Sequence, residues 1–269
     1  MAWLLPTLGR IEKLRYCLLT MKKQDTTTPG LIIVDKKDWL KNEAEYLKLK
    51  DECWPTACDV SDDDDIGVTI EQGWDFVVTE AVTMGDKVRE VWPQVESNSW
   101  LGILNDDFEF NTYQWDSKLL KRLDGKNFVS SNDRWLAPVR ATTATAWSMP
   151  LLKAVGFPIF PPDIQHLHID SLWENLGRAT GCWRIAMDVI VEHRHVLKGY
   201  DDDATNKATY DSYFDAQRKG IKPIEDQIFD KFMNENFNKL VQKIKDFQDY
   251  LPGEQYNPDR KKLQNAATV

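Results

Sequence analysis

Residues 99–110 read SWLGILNDDFEF. Trp100, Leu101, Ile103 and Leu104 form a short apolar run that stops at Asn105-Asp106-Asp107, with Glu109 two residues on. A brief apolar run bounded by polar residues predicts a buried strand rather than an amphipathic helix. The end of that strand delivers two carboxylates to the edge of a sheet. In open α/β sheets, ligands gather beyond the carboxyl ends of the strands. Hard carboxylate oxygens placed there suit Mg²⁺ or Mn²⁺, which bind one or two acids together with substrate phosphates. An acidic turn or a cap for the next helix would use the same residues. The stretch alone leaves both readings open.

The surrounding chain supports a globular α/β protein. Its 269 residues are 42% hydrophobic and 29% charged, enough for a sizeable core in one large domain, or one domain with an appendage. A net charge of −9 and a pI near 5.1 argue against a protein that coats nucleic acid, while leaving room for a local basic groove. Cys17, Cys53, Cys58 and Cys182 show no CxxC pairing, which excludes a zinc knuckle or a disulfide scaffold as the organising device. Such cysteines suit a reducing cytosol as small buried hydrophobes. The opening MAWLLP is too short for a signal h-region, and no run approaches a membrane span. The expectation is a soluble cytoplasmic protein.

Taken in order, residues 3–5 read as a buried strand closed by Pro6, and residues 11–23 as a helix through Ile11, Leu14, Cys17, Leu18 and Met21. Residues 31–34 form a second strand ending at Asp35, which completes a strand-helix-strand unit and seeds a parallel sheet. Thr7 and Asp35 then share a sheet edge with Asp107. Residues 39–53 are expected to be helical, and the acidic run 62–65 is a solvated loop or helix start. The spacing predicts helix over 66–91, ended by Trp92-Pro93. Further helices are expected at 113–123, 149–156, 168–177, 210–218 and 224–250, and strands at 128–130 and 185–191. Residues 135–146 are ambiguous. The domain reading is a catalytic unit over 1–200, a helical extension over 201–252 and a loose tail over 253–269.

Pro6-Thr7-x-x-Arg10 after the first strand, Ile33-Val34-Asp35 at the second and Leu104-Asn105-Asp106-Asp107 at a later one resemble glycosyltransferases of the GT-A fold. Gly85-Asp86-Lys87, Trp115-Asp116, Asp170-x-x-Trp173 and Asp188-x-x-x-Glu192-His193 narrow the likeness to glycosyltransferase-like proteins of bacteriophages and large viruses. The resemblance spans roughly residues 3–200. Two positions depart from it: Asn105 opens the acidic motif, and Lys36-Lys37 replaces the small residues common after the second-strand Asp.

The resemblance implies a GT-A-like (Rossmann-like) mixed sheet flanked by helices, with a helical C-terminal extension. It implies transfer of a sugar from a nucleoside diphosphate sugar, a UDP-sugar first, to a hydroxyl acceptor. Asp107 and His193 would hold Mn²⁺ or Mg²⁺, with His195 the alternate on the same face. Thr7, Arg10, Asp35, Lys87, Arg89 and Asp106 would bind the donor, the basic groups neutralising phosphate. Asp170 would be the general base on the acceptor, or else cap the following helix. His166 and His168 would face acceptor or solvent, and Trp135 and Trp147 are candidate stacking platforms. The viral likeness implies a hydroxymethylated DNA base as acceptor, ahead of a glycan or protein side chain, and a host-cell cytoplasm. Lys118, Lys121, Arg122 and Lys126, and residues 239–245, would supply the basic rim. The alternatives are a nucleotidyltransferase on the same scaffold and a non-catalytic binding protein, the latter kept alive by Asn105.

Overall fold

β1 (Ala2–Thr7) is the strand around which the sheet is laid out. The computed structural model describes residues 2–7, 9–54, 73–135, 137, 144–165, 167–194, 219 and 222–249. β1 pairs in parallel with β2 (Gly30–Asp35) on one side and β4 (Trp100–Ile103) on the other. β2 pairs in parallel with β3 (Trp74–Thr79) at one edge of the sheet. Beyond β4 the sheet becomes mixed, through β7 (Thr145–Ser148), β6 (Phe128–Asn132), β8 (Trp183–His193) and β5 (Phe108–Phe110). The eight strands run in the order β3-β2-β1-β4-β7-β6-β8-β5. β4 therefore stands where direction reverses, parallel to β1 and antiparallel to β7.

The central strands are apolar on both faces because helices cover both. Along β1, Ala2 and Leu4 enter one core while Trp3 and Leu5 enter the other. That alternation is why the run reads as continuously hydrophobic, the mark of a parallel strand buried on both sides. One face is covered by α1 (Ile11–Lys23), α2 (Lys36–Cys53) and α4 (Trp115–Leu120). The other carries α3 (Met84–Val95), α5 (Met149–Val155), α6 (Ile169–Thr180) and α7 (Ile224–Gln248). In α7, Phe232, Leu240, Ile244 and Phe247 join the same core as Leu152 of α5 and Leu172 of α6. Within the deciding stretch, Gly102 lies under the ring of Trp3, and a Cβ there would collide with the indole.

Several expectations change. The helix expected over 66–91 contains β3, an edge strand whose identity comes from pairing with β2, which local spacing does not reveal. Pro93 does not end α3: the helix runs on to Val95, because Val91 and Val95 continue its buried stripe. β5 is a three-residue strand defined by its partner β8. α4 is shorter than expected, at Trp115–Leu120. The acidic run 62–65, the helix at 210–218 and the tail 253–269 lie outside the described residues, and no helix among those described is long and apolar enough to cross a membrane.

Candidate active site

After β4, the Leu104 amide donates to the Leu4 carbonyl at 2.8 Å, so pairing with β1 persists one residue past the strand. The chain then turns through Asn105-Asp106-Asp107 into β5, which runs antiparallel to β8 with Phe108 opposite His193. The Arg194 amide donates to the Asp107 carbonyl at 3.0 Å. The turn is thus pinned between the ends of β1 and β8, and its two acids fall into different surroundings.

Asp106 is fully buried. Its Oδ2 accepts from Thr7 Oγ1 at 2.6 Å and from Arg10 Nε at 3.1 Å, and its Oδ1 accepts from the Arg10 guanidinium. Asp107 is 8% exposed; its Oδ2 lies 3.2 Å from His193 Nε2 and 3.8 Å from Arg10 Nη1. Asp107 Oδ1 is buried and has no hydrogen-bond partner among the described residues. Burial raises the Asp106 carboxyl to about 6, with Asp107 adding to the rise and Arg10 and Thr7 opposing it. Burial also pushes Asp107 upward, but the His193 imidazole and the Arg10 guanidinium more than offset it, holding that carboxyl at about 2.

Next along the edge, Asp35 caps α2, its Oδ1 accepting the Asp38 amide at 3.0 Å. Asp35 Oδ2 is buried, without a hydrogen bond among the described residues, 3.6 Å from Lys87 Nζ. Lys87 donates to the Thr7 carbonyl at 2.5 Å, and burial lowers its pKa below the usual lysine range against the pull of Asp35. Asp38, which the sequence reading passed over, accepts from the Gly9 amide at 2.6 Å, the Tyr46 hydroxyl at 2.6 Å and Asn42 Nδ2 at 2.7 Å. Its signal was the Asp35-x-x-Asp38 spacing, a cap followed by an acid in the first turn.

Thr7, Arg10, Asp35, Lys87, Asp106, Asp107 and His193 therefore converge at one sheet edge. Arg89 stands apart from them: its guanidinium is engaged by Asp86, Gln165 and the Pro161 carbonyl. Asp170 is exposed in the first turn of α6 and does not cap it. The N-cap position is held by His168 in a left-handed conformation, with φ +68°. α6 is followed along the chain by β8, which finishes at His193. His168 is tied instead to α7, 2.7 Å from Asp226 and stacked on Phe229. Trp147 is a core residue at 3% exposure, whereas Trp135 is 45% exposed after β6. His166 and His195 lie outside the described residues. Arg194, packed 4.0 Å over the Tyr16 ring, is a cation beside the site that sequence spacing did not mark.

A divalent ion fits the chemistry of this donor set. Asp107 offers one buried carboxylate oxygen, Oδ1, without a hydrogen-bond partner among the described residues, and a second, Oδ2, beside the His193 imidazole nitrogen. Mg²⁺ and Mn²⁺ commonly take one or two protein ligands and complete their shell with phosphate oxygens and water. Among the described residues no group of three or more His, Cys, Asp or Glu side chains forms a metal cage. The protein thus supplies few donors, and a phosphate ligand would supply others.

The fold has counterparts among solved structures. The mannosyltransferase PcManGT from Pyrobaculum calidifontis, in complex with GDP-Man and Mn²⁺, matches 99% of this chain and 79% of its own with a TM-score of 0.53 and 12% identity. The fold is GT-A-like. GalNAc-T7 with UDP, GalNAc and Mn²⁺ matches 76% of this chain and 45% of its own, with a TM-score of 0.51 and 12% identity. No protein-family description and no curated protein matches the sequence. The likeness is one of fold, and the narrower viral resemblance has no counterpart in these matches.

Proposed function

We propose that this GT-A-like protein is a metal-dependent glycosyltransferase, moving a sugar from a nucleoside diphosphate sugar to a hydroxyl acceptor, with a UDP-sugar first among donors. The observation that carries the reading is Asp107: a buried carboxylate with one unbonded oxygen, 3.2 Å from His193, at the carboxyl edge of the sheet. Two solved proteins of similar fold hold a nucleotide or nucleotide sugar with Mn²⁺, which supports it. Asp107 and His193 would hold the ion, and the ion would neutralise the diphosphate as charge grows on the leaving group. Arg10, already pulled to the acidic pair, is placed to share that work, while Thr7 and Asp106 fix its position. Asp35 would accept a hydrogen bond from the nucleoside through its free oxygen. Asp170 would take the proton of the acceptor hydroxyl, and its exposure leaves it accessible to one.

The acceptor proposed first is a hydroxymethylated base in duplex DNA. Of the basic residues grouped for that role, Arg122 pairs with Asp188 and Lys126 donates to the Gln248 carbonyl, leaving Lys118 and Lys121 exposed. Glycans and free nucleosides therefore belong in the same assay. The deciding experiment incubates labelled UDP-sugars and GDP-sugars with these acceptors, with Mn²⁺ or with chelator. Metal-dependent release of nucleoside diphosphate together with labelled acceptor is the expected result. Release of pyrophosphate would assign a nucleotidyltransferase instead, and no nucleotide binding at all would assign neither.

A further inference from the structure

Lys87 lies in the first turns of α3 and is 1% exposed. A lysine is almost never so fully covered unless fixed acceptors compensate its charge. Here the acceptors are the Thr7 carbonyl at 2.5 Å and Asp35 Oδ2 at 3.6 Å. Those two groups close neighbouring strands: Thr7 ends β1, and its register partner Val34 is followed by Asp35, the end of β2. The proposed nucleotide groups hang from the same two ends. Thr7 Oγ1 donates to Asp106, while Asp35 Oδ1 receives the Asp38 amide and Asp38 receives the Gly9 amide. A lysine that neutralises phosphate needs its donors free for the ligand. This one directs them at the main chain of one strand and the terminal carboxylate of the next.

We infer that Lys87 is a positioning residue rather than a phosphate ligand: it ties the ends of β1 and β2 together so that Asp35 keeps its unbonded oxygen in place for the nucleoside. The inference rests on the nucleotide-sugar reading above. Without the ammonium, the Thr7 carbonyl loses a donor and the Asp35 carboxylate loses its ion-pair partner. A buried charge left unpaired moves or becomes neutral, and the Asp38 amide held by Asp35, with the Gly9 amide held in turn by the Asp38 carboxylate, loosens with it. Lys87 thus acts on the nucleoside end of the ligand, whereas a phosphate-binding lysine acts on the other.

The test compares Lys87→Met, Asp35→Asn and the double variant, titrated with uridine and with UDP in the presence of Mn²⁺, and with guanosine and GDP in parallel. Lys87→Met is expected to weaken nucleoside and nucleoside diphosphate by the same factor, about 10-fold, the usual cost of a lost hydrogen bond to a charged group. In the Asp35→Asn background the same change should add almost nothing, because the residue acts through Asp35. Loss confined to the diphosphates, or an undiminished effect in the Asp35→Asn background, would overturn the inference in favour of a phosphate ligand. Unchanged affinity for both ligand types would overturn it as well. If Lys87→Met alone does not fold, the double variant, which removes both members of the ion pair, is compared with Asp35→Asn, and a further loss of affinity there would overturn the inference. Amide hydrogen exchange in the absence of ligand is read alongside. Faster exchange at Gly9 and Asp38 supports the positioning role even if the wild-type protein binds no nucleotide, in which case the functional reading falls by itself. Unchanged exchange there would count against Lys87.

Discussion

Asp107 differs from Asp106 in what remains after the protein has bonded it. Both oxygens of Asp106 are taken by Thr7 and Arg10, whereas Asp107 keeps one buried oxygen free. The first acid therefore builds the site and the second is left to bind. Asp107→Asn should abolish the gain in nucleotide affinity that Mn²⁺ provides. Calorimetry should show the Kd for UDP with Mn²⁺ rising by at least about 10–100-fold, the cost of losing even a group that only orients a metal ligand. Equal affinity in wild type and variant would remove the metal from Asp107. Asp170 makes the opposite expectation, because it is exposed in the first turn of α6. Asp170→Asn should leave Kd for nucleotide and metal nearly intact while kcat falls roughly 10²–10⁴-fold, the usual worth of a positioned general base. Single-turnover rates at saturating donor would check it, and an unchanged rate would leave Asp170 as a helix-end charge.

Among elements, α3 shows how two opposing effects resolve. Its Gly85 would normally gain about 1 kcal/mol of helix propensity on replacement by alanine. A Cβ there, however, would stand 2.7 Å from the Ile164 carbonyl oxygen and 3.0 Å from that of Gln165. Both are backbone atoms that cannot swing aside, and the Gly85 amide already donates to Gln165 at 2.7 Å. Overpacking of this kind costs about 1–3 kcal/mol, so it outweighs propensity. Gly85→Ala should lower the urea midpoint, and a raised midpoint would mean that the 161–165 loop yields. The same scale explains what was legible in the sequence. β1, β2 and β4 announce themselves because burial on both faces leaves unbroken apolar runs ending in Thr7, Asp35 and Asn105-Asp106-Asp107. β3 and β5 do not, because they are edge strands whose pairing partners, β2 and β8, lie far away along the chain. Asp38 and Arg194 escaped for a related reason: their roles come from Tyr46, Gly9 and Tyr16, which only folding brings near.

For the whole molecule, the question is whether α7 is an appendage or a wall. Its side chains Phe232, Leu240, Ile244 and Phe247 share a core with α5 and α6, and Lys243 reaches the Val155 carbonyl at 3.2 Å. Ile244 is fully buried. Ile244→Ala should therefore cost about 2–5 kcal/mol. Urea unfolding followed by tryptophan fluorescence and by circular dichroism should show one shifted transition with coincident midpoints. Two separated transitions would make the helix a unit of its own.

The placement of β1 between β2 and β4 also governs how fast the site can form. Ala2 pairs with Leu101 across almost a hundred residues of intervening chain, and Phe108 pairs with His193 across a similar gap. Closing such loops is slow, and proteins dominated by distant pairings refold over milliseconds to seconds rather than microseconds. Neither Asp106 nor Asp107 can meet its partners until those closures are complete. On dilution from denaturant, recovery of metal-dependent nucleotide binding is expected to coincide with the slowest folding phase, well after the helices have regained their circular dichroism.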